Sequence, residues 1–167
     1  CSEIVLRPGQ FCNLTEVVAR ADDTLQTLGE KIAMATILGT LQSCLTDFRF
    51  LRGLWKKNCE EERLLGVSLT GIYDCKILYN AKGEELEKLK EIAVMTNELW
   101  AKKLGINQST AVTCVKPSGT VSQLCNSSSG IHPRYSSFYR RAVRGDKKDP
   151  ISALLIDVGV PYEEDLY

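Results

Sequence analysis

Apolar positions along the 167-residue chain recur at two spacings, and the alternation between those spacings sets the expected fold. Leu25, Leu28, Ile32, Ala35, Leu38, Leu41 and Leu45 return at steps of three and four behind Asp22-Asp23-Thr24, which supplies an N-cap. The spacing predicts a long amphipathic helix. Glu84 to Leu104 predicts a second, with Leu86, Leu89, Ala93, Thr96, Trp100 and Leu104 on one face. Glu84–Lys88 and Glu98–Lys102 stand four apart on it, and Gly105 ends it. Shorter runs lie before and between these helices. Arg7-Pro8-Gly9-Gln10 carries the Pro-Gly pair of a type II turn, and Phe11 to Val18 alternates as a strand. Arg63 to Gly71 reads as a short apolar strand bounded by glycines, and Ala111 to Val115 as one buried on both faces. A shorter helix is expected around Phe48 to Asn58, another after Lys116-Pro117-Ser118-Gly119-Thr120, a basic strand over Phe138 to Arg144, and a last helix over Pro150 to Val158. Long helices alternating with short buried strands predict an α/β domain with parallel strands, one incomplete domain over residues 1–167.

Composition narrows the functions without naming one. Hydrophobic residues are 44% and charged residues 25%, the balance of a chain that buries a core. Lys plus Arg and Asp plus Glu are 21 each, so no overall field draws the chain to nucleic acid or a membrane. A small polar ligand must be held by a local site. No apolar run reaches the roughly 18 residues of a membrane helix, and the cytoplasm is the expected compartment.

The seven cysteines include no CxxC pair, and His132 is the only histidine. A zinc site needs paired soft ligands, so no protein-ligated metal is expected. Cys44, in a helical pattern, and Cys114, in an apolar run, read as core residues. Cys1-Ser2-Glu3, with Cys12 returning after the Pro-Gly turn, leaves three readings open: a nucleophile disfavoured by the neighbouring anion, a radical-carrying thiol beside a carboxylate base, or an ordinary turn. Ser118, Gly119, Thr120, Val121 and Ser122 lie where a strand meets a helix start, which suits phosphate or a plain cap equally. The basic run from Arg134 to Lys148 reads as a solvated face or as a nucleotide or cofactor contact, and His132 has no triad partner.

As an ordered set these segments resemble the large catalytic subunit of ribonucleotide reductases. That family carries Asn-Pro-Cys-x-Glu at the tip of a finger loop, and Cys1-Ser2-Glu3 is similar to its last three places. Phe11-Cys12-Asn13-Leu14 resembles the family's second cysteine strand. Arg63-Leu64-Leu65-Gly66-Val67-Ser68-Leu69-Thr70-Gly71 looks like its Arg-x-x-Gly-x-x-x-x-Gly strand. Pro117-Ser118-Gly119-Thr120-Val121-Ser122-Gln123-Leu124 looks like its phosphate loop, and Ser129-Gly130-Ile131-His132-Pro133-Arg134 stands where the iron-dependent class has Gly-Ile-Glu-Pro. The wording of Trp55-Lys56-Lys57-Asn58, of Pro117 to Ser122 and of Ile131 to Ser136 is nearest to the cobalamin-dependent class II.

The resemblance implies roughly the second half of a ten-stranded α/β barrel, with a finger loop carrying the active-site cysteine. It implies reduction of ribonucleotides to 2′-deoxyribonucleotides for DNA synthesis, with adenosylcobalamin as cofactor and its cobalt as the metal. Cys1 would carry a thiyl radical, Glu3 would act as base, and Cys12 would supply reducing equivalents with a cysteine upstream. Ser118, Gly119, Thr120, Val121 and Ser122 would hold the substrate phosphates, and His132, Arg134 and Tyr135 form the loop assigned to cofactor or substrate. The implied partners are the ribonucleotide, the upstream part of the same enzyme, and a thioredoxin- or glutaredoxin-type reductant acting through a C-terminal cysteine pair. Nucleic acid and membrane are not among them. The 167 residues alone are expected to be inactive. Their opening at Cys1 is expected to reflect truncation, with a split-gene product or a C-extein as alternatives. An iron-dependent or glycyl-radical reductase, or a non-catalytic phosphate-binding fragment that docks with an upstream half, are the competing readings.

Overall fold

The computed structural model describes residues 3–165, which divide into two compact units, one ending at Arg134 and one beginning at Tyr135. In the first unit β1 (Asn13–Val18) is followed by α1 (Leu25–Gln42), α2 (Gly53–Glu62) and β2 (Leu65–Thr70). A single 3-10 turn (Ile72–Asp74), α3 (Lys76–Tyr79), α4 (Gly83–Leu104) and the one-turn α5 (Val121–Leu124) complete it. β1 and β2 pair in parallel, Asn13 opposite Leu65 through Val18 opposite Thr70. Parallel neighbours need a long crossover, and α1 with α2 provides it. A third segment runs parallel along the other edge of β2. The N–H groups of Leu65 and Val67 donate to Ala111 O and Val112 O (2.9 and 2.8 Å), and Cys114 N donates to Val67 O (3.0 Å). Two donors two residues apart reach adjacent carbonyls, so this segment is irregular and makes one bridge, Val67 with Thr113. The α/β class read from the sequence is borne out.

The sheet has one side for packing. Val17 and Val67 join Leu28, Ile32 and Ala35 of α1, Leu89 and Ala93 of α4, and Val112 in the core. The N-terminus of α1 is held by reciprocal bonds, Thr27 N to Thr24 Oγ1 (3.1 Å) and Thr24 N to Thr27 Oγ1 (2.9 Å). Its buried face follows the apolar stripe of the sequence through Leu28, Ile32 and Ala35 and departs from it in the second half. Thr36, Gly39 and Thr40 are buried, whereas Leu38, Leu41 and Leu45 are exposed. The reason is close approach. A Cβ on Gly39 would stand 3.2 Å from Leu65 Cδ2, so the missing side chain lets the helix lie against β2. Thr36 and Thr40 donate to the carbonyls four residues back (2.8 Å each) and carry no unmet hydroxyl inward.

α4 turns a straight line of Leu89, Ala93, Asn97 and Ala101 to the core, leaving Leu86 and Leu104 outside. Asn97 is fully buried and fully bonded. Its Nδ2 donates to Thr40 Oγ1 (3.0 Å) and Ser109 Oγ (2.9 Å), and its Oδ1 accepts from Ser109 N (2.9 Å). α2 begins five residues later than the pattern implied. Phe48 lies in the preceding turns, edge-on to Phe11, which also packs on Trp55 (centroids 5.3 and 4.6 Å). Residues 111–115 alternate rather than being covered on both faces: Val112 is buried, Val115 64% exposed.

The second unit holds α6 (Pro150–Asp157), capped by Asp149, whose carboxylate accepts from Ile151 N (2.9 Å). Residues 138–144 form no strand; nothing in this unit offers a neighbour to pair with, and Phe138 is exposed. Ion pairs join Arg144 to Asp165 and Lys147 to Glu164. Among the described residues no helix is long and apolar enough to cross a membrane.

Candidate functional site

Side chains alternate across a strand, so while Val17 and Val67 face the helices, Leu14 and Glu16 look to the opposite side beside Gly66 and Ser68. That opposite face gathers the chemistry. Gly66 makes room for it: a Cβ there would meet Leu14 Cδ2 at 2.5 Å and Cys114 Sγ and Ile4 Cδ1 at 2.9 Å. Cys114 is therefore a half-buried thiol lying over β2 on the face away from the helices, and the expectation of a plain core cysteine is corrected. Cys44, also expected in the core, is exposed at the end of α1.

Burial pushes the Cys114 thiol up to about 11, with the Glu3 carboxylate and the neighbouring Cys12 adding to the rise and Lys116 partly offsetting it. Cys12 is raised by the same two leading causes, burial and then Glu3. Glu3, Cys12 and Cys114 thus form one electrostatic group in which both sulfurs stay protonated at neutral pH. Protonated thiols are poor nucleophiles and remain able to give up a hydrogen atom. Cys1 and Ser2 lie outside the described residues.

The segment carrying Cys12, which leads into β1, is aimed by the turn before it. Gly9 has φ +73°, as the Pro-Gly pair requires. Asn58 Nδ2 donates to Pro8 O (3.1 Å) and Gly9 O (3.2 Å), Gln10 Nε2 donates to Glu62 Oε2 (2.6 Å), and Arg7 pairs with Glu61 and Glu62. The Trp55-to-Asn58 motif, read from the sequence only as wording, acts here through Trp55 against Phe11 and Asn58 on the turn.

The second feature is the loop 116–122. Ser118 is 3% exposed and its hydroxyl is spent on the protein. It donates to Glu16 Oε1 (2.5 Å) and accepts from Ser122 N (3.1 Å). Ser122 Oγ donates to Gly119 O (3.1 Å), and Lys116 Nζ pairs with Glu16 Oε2 (2.9 Å). Gly119, at φ +58° with open space where a Cβ would be, and Thr120 are exposed at the tip, and Val121 is half-buried. Among the described residues the N–H groups of Gly119 and Thr120 donate to no protein acceptor.

A third feature ties down the loop that follows. Asp74 accepts from Ser128 N (2.7 Å), Arg134 Nε (2.9 Å) and Arg134 Nη2 (3.0 Å). Arg134 also donates to Asn126 Oδ1 (2.9 Å) and O (2.8 Å). Burial pushes the Asp74 carboxyl up, but the Arg134 hydrogen bonds, the Ser128 N–H and the charges of Arg134 and Arg20 outweigh it and hold the group below its ordinary value. Arg134 is thus committed to this clamp, whereas the His132 and Tyr135 side chains are exposed. Glu16, Asn58 and Asp74 were not singled out by sequence reasoning, and Cys114 was read only as core; of the first three only Asn58 had a signal, in its motif.

No protein-family model matches the chain. Over its full length it is 28% identical to the adenosylcobalamin-dependent ribonucleoside-triphosphate reductases of Lactobacillus acidophilus and Lactobacillus leichmannii, and 27% identical to that of Levilactobacillus brevis. A solved structure of a B12-dependent (class II) ribonucleotide reductase matches 81% of this chain and 22% of its own, at 24% identity and a TM-score of 0.64, a likeness of fold. The chain is similar to one segment of the class II ribonucleotide reductases. It spans about a quarter of the curated relatives, 26% of each. The resemblance to class II reductases read from the ordered motifs is borne out along the whole chain.

Proposed function

We propose that this chain is the part of a class II ribonucleotide reductase that carries the radical cysteine and the substrate phosphate loop, within a ten-stranded barrel whose finger loop holds Cys1. The observation that carries the reading is that the strand face away from the helices bonds the 116–122 loop through Glu16 and Ser118 and also carries Cys114 over Gly66, a thiol within electrostatic reach of Glu3 and Cys12. The relatives' names support adenosylcobalamin as the radical source over iron or a glycyl radical.

The residues present suit that cofactor in one respect the structure exposes. Burial and the Glu3 carboxylate raise both Cys12 and Cys114, which favours the protonated thiol that donates hydrogen atoms over the thiolate of a nucleophilic or metal-ligating cysteine. No group of three or more metal-ligating side chains occurs among the described residues. Adenosylcobalamin, when bound, supplies a radical through its own cobalt. His132 and Tyr135 are the exposed residues of the assigned loop that would contact cofactor or substrate, with Arg134 fixing the loop through Asp74.

In this reading Cys1, as a thiyl radical, takes the 3′-hydrogen of the ribonucleotide, and Glu3 accepts the 3′-hydroxyl proton. The 2′-hydroxyl departs as water. Cys12 and an upstream cysteine give two electrons and two protons in becoming a disulfide, one proton leaving in the water and one going to C2′. Cys1 then returns the hydrogen to C3′ and Glu3 the proton to the 3′-oxygen, and a dithiol reductant of the thioredoxin class restores the cysteine pair. The phosphates rest on the N–H groups of Gly119 and Thr120 and on the Thr120 hydroxyl, with Ser118, Val121 and Ser122 framing the turn. The cytoplasm is the compartment this chemistry implies.

The test is made in the complete enzyme carrying this segment. Cys1→Ser should abolish turnover and leave nucleotide binding within about twofold, the signature of a group acting only in the chemical step. Cys12→Ser should permit at most a single turnover. Sustained turnover by either variant would overturn the mechanism.

A further inference from the structure

Glu16 sits on β1 four residues after Cys12, with its side chain only 7% exposed, and both carboxylate oxygens are taken by one distant loop. Lys116 Nζ lies 2.9 Å from Oε2 and Ser118 Oγ 2.5 Å from Oε1. Burying a carboxylate is costly, and an apolar contact would join β1 to the loop at less expense. What the carboxylate adds is direction. By accepting from Ser118 it fixes that hydroxyl to receive the Ser122 N–H, while Ser118 O receives the Val121 N–H (3.2 Å). These bonds close the turn and leave Gly119 and Thr120 at its open tip. By drawing Lys116 inward it neutralises the loop's own cation. α5 has four residues and no dipole to speak of, so the loop's capacity for an anion rests on how this turn is held.

We infer that Glu16 is a positioning residue for the phosphate loop: its buried carboxylate, shared by Ser118 and Lys116, sets the turn so that backbone N–H groups rather than the lysine charge meet the substrate triphosphate. The inference rests on the reading of 118–122 as the phosphate site. Its effect is on binding, through Ser118, and not on the radical steps.

The experiment uses the complete enzyme, with KM for a ribonucleoside triphosphate, kcat, and the inhibition constant of inorganic tripolyphosphate as readouts. Glu16→Ala is expected to raise KM and the tripolyphosphate constant together by about tenfold, the loss of one charge-assisted bond, with kcat little changed. Ser118→Ala is expected to do the same alone and to add less than about twofold in the Glu16→Ala background, because the two act as one unit. Glu16→Asp, whose shorter carboxylate cannot reach both partners, is expected to raise both constants about threefold, and it carries the test if the alanine variant does not fold. Unchanged constants in Glu16→Asp, multiplying effects in the double variant, or a fall in kcat alone would overturn the inference. Gly119→Val, strained at φ +58°, probes the loop without touching Glu16. Should Gly119→Val and Ser118→Ala both leave the two constants unaltered, the phosphate reading fails and takes the inference with it. If they raise the constants while the Glu16 variants do not, the role of Glu16 alone falls.

Discussion

Asp74→Ala offers a direct measure of how firmly the 126–134 loop is held. The substitution removes the acceptor of the Ser128 N–H, at 2.7 Å, and the partner of Arg134 Nε and Nη2. A hydrogen bond to a charged group contributes about 1.5–3 kcal/mol. The Arg134 side chain is 49% exposed, so its ion pair is screened and adds roughly 0.5 kcal/mol. A net loss of about 2 kcal/mol in local stability would speed hydrogen exchange at Ser128 roughly 30-fold. Gly130 N donates to Thr70 Oγ1 (2.7 Å), and Thr70 Oγ1 also donates to Ser128 O (3.1 Å). If the loop opens as a unit, Gly130 therefore accelerates with Ser128, while Val67 N in the core stays protected. Rates at Ser128 and Gly130 within threefold of the parent would refute the clamp. The pH dependence has a definite sign. Asp74 is held below its unfolded value, so its contribution is complete above the ordinary carboxylate pKa and is lost as pH falls through the depressed folded value. After correction for intrinsic exchange, protection at Ser128 should weaken on acidification in the parent and show no such step in Asp74→Ala.

Two further outcomes follow from the packing and the thiols. Asn97→Ala strands the Ser109 N–H and Oγ and unties α1 from α4, at a cost of about 2–4 kcal/mol; a urea midpoint equal to the parent's would show that the network is not holding the helices. Glu3→Gln removes an anion that raises both thiols, so alkylation of Cys12 and Cys114 by iodoacetamide at pH 8 should quicken by about two- to threefold, and unchanged rates would place Glu3 outside their reach.

Where local chemistry decides the backbone, the structure is legible in the chain. Thr24 caps α1, Gly9 takes the positive φ beside Pro8, Gly105 ends α4 in the left-handed region, and Asp149 with Pro150 opens α6. Where the outcome depends on what packs against what, the pattern misleads. In the second half of α1, Leu38 and Leu41 were the natural core face by size, yet Thr36, Gly39 and Thr40 are inside, because the sheet approaches closely and the threonine hydroxyls bond to their own helix. Phe48 belongs to an aromatic group with Phe11 and Trp55, a long-range fact that no local spacing carries. The site divides in the same way. Glu3, Cys12 and Ser118 were legible as motif words, but the partner that holds Ser118 lies 102 residues away, on a strand that reads as ordinary alternation.

The two faces of this small sheet divide the work between them, and a single glycine governs the second. On the helix side, burial is mostly apolar or internally bonded, and that side contributes stability. On the other side, Gly66 leaves the space that Leu14, Ile4 and the Cys114 sulfur occupy, and Cys114 belongs to the same electrostatic group as Cys12. Any side chain at 66 would displace neighbours that already stand 2.5–2.9 Å from where its Cβ would be. Burial and the nearby Glu3 carboxylate both raise the Cys114 thiol, and a larger residue at 66 would push the sulfur away from the position where the two act together. The glycine of the Arg-x-x-Gly strand, read in the sequence as a mark of family, is on this argument what keeps the Cys114 thiol beside Cys12.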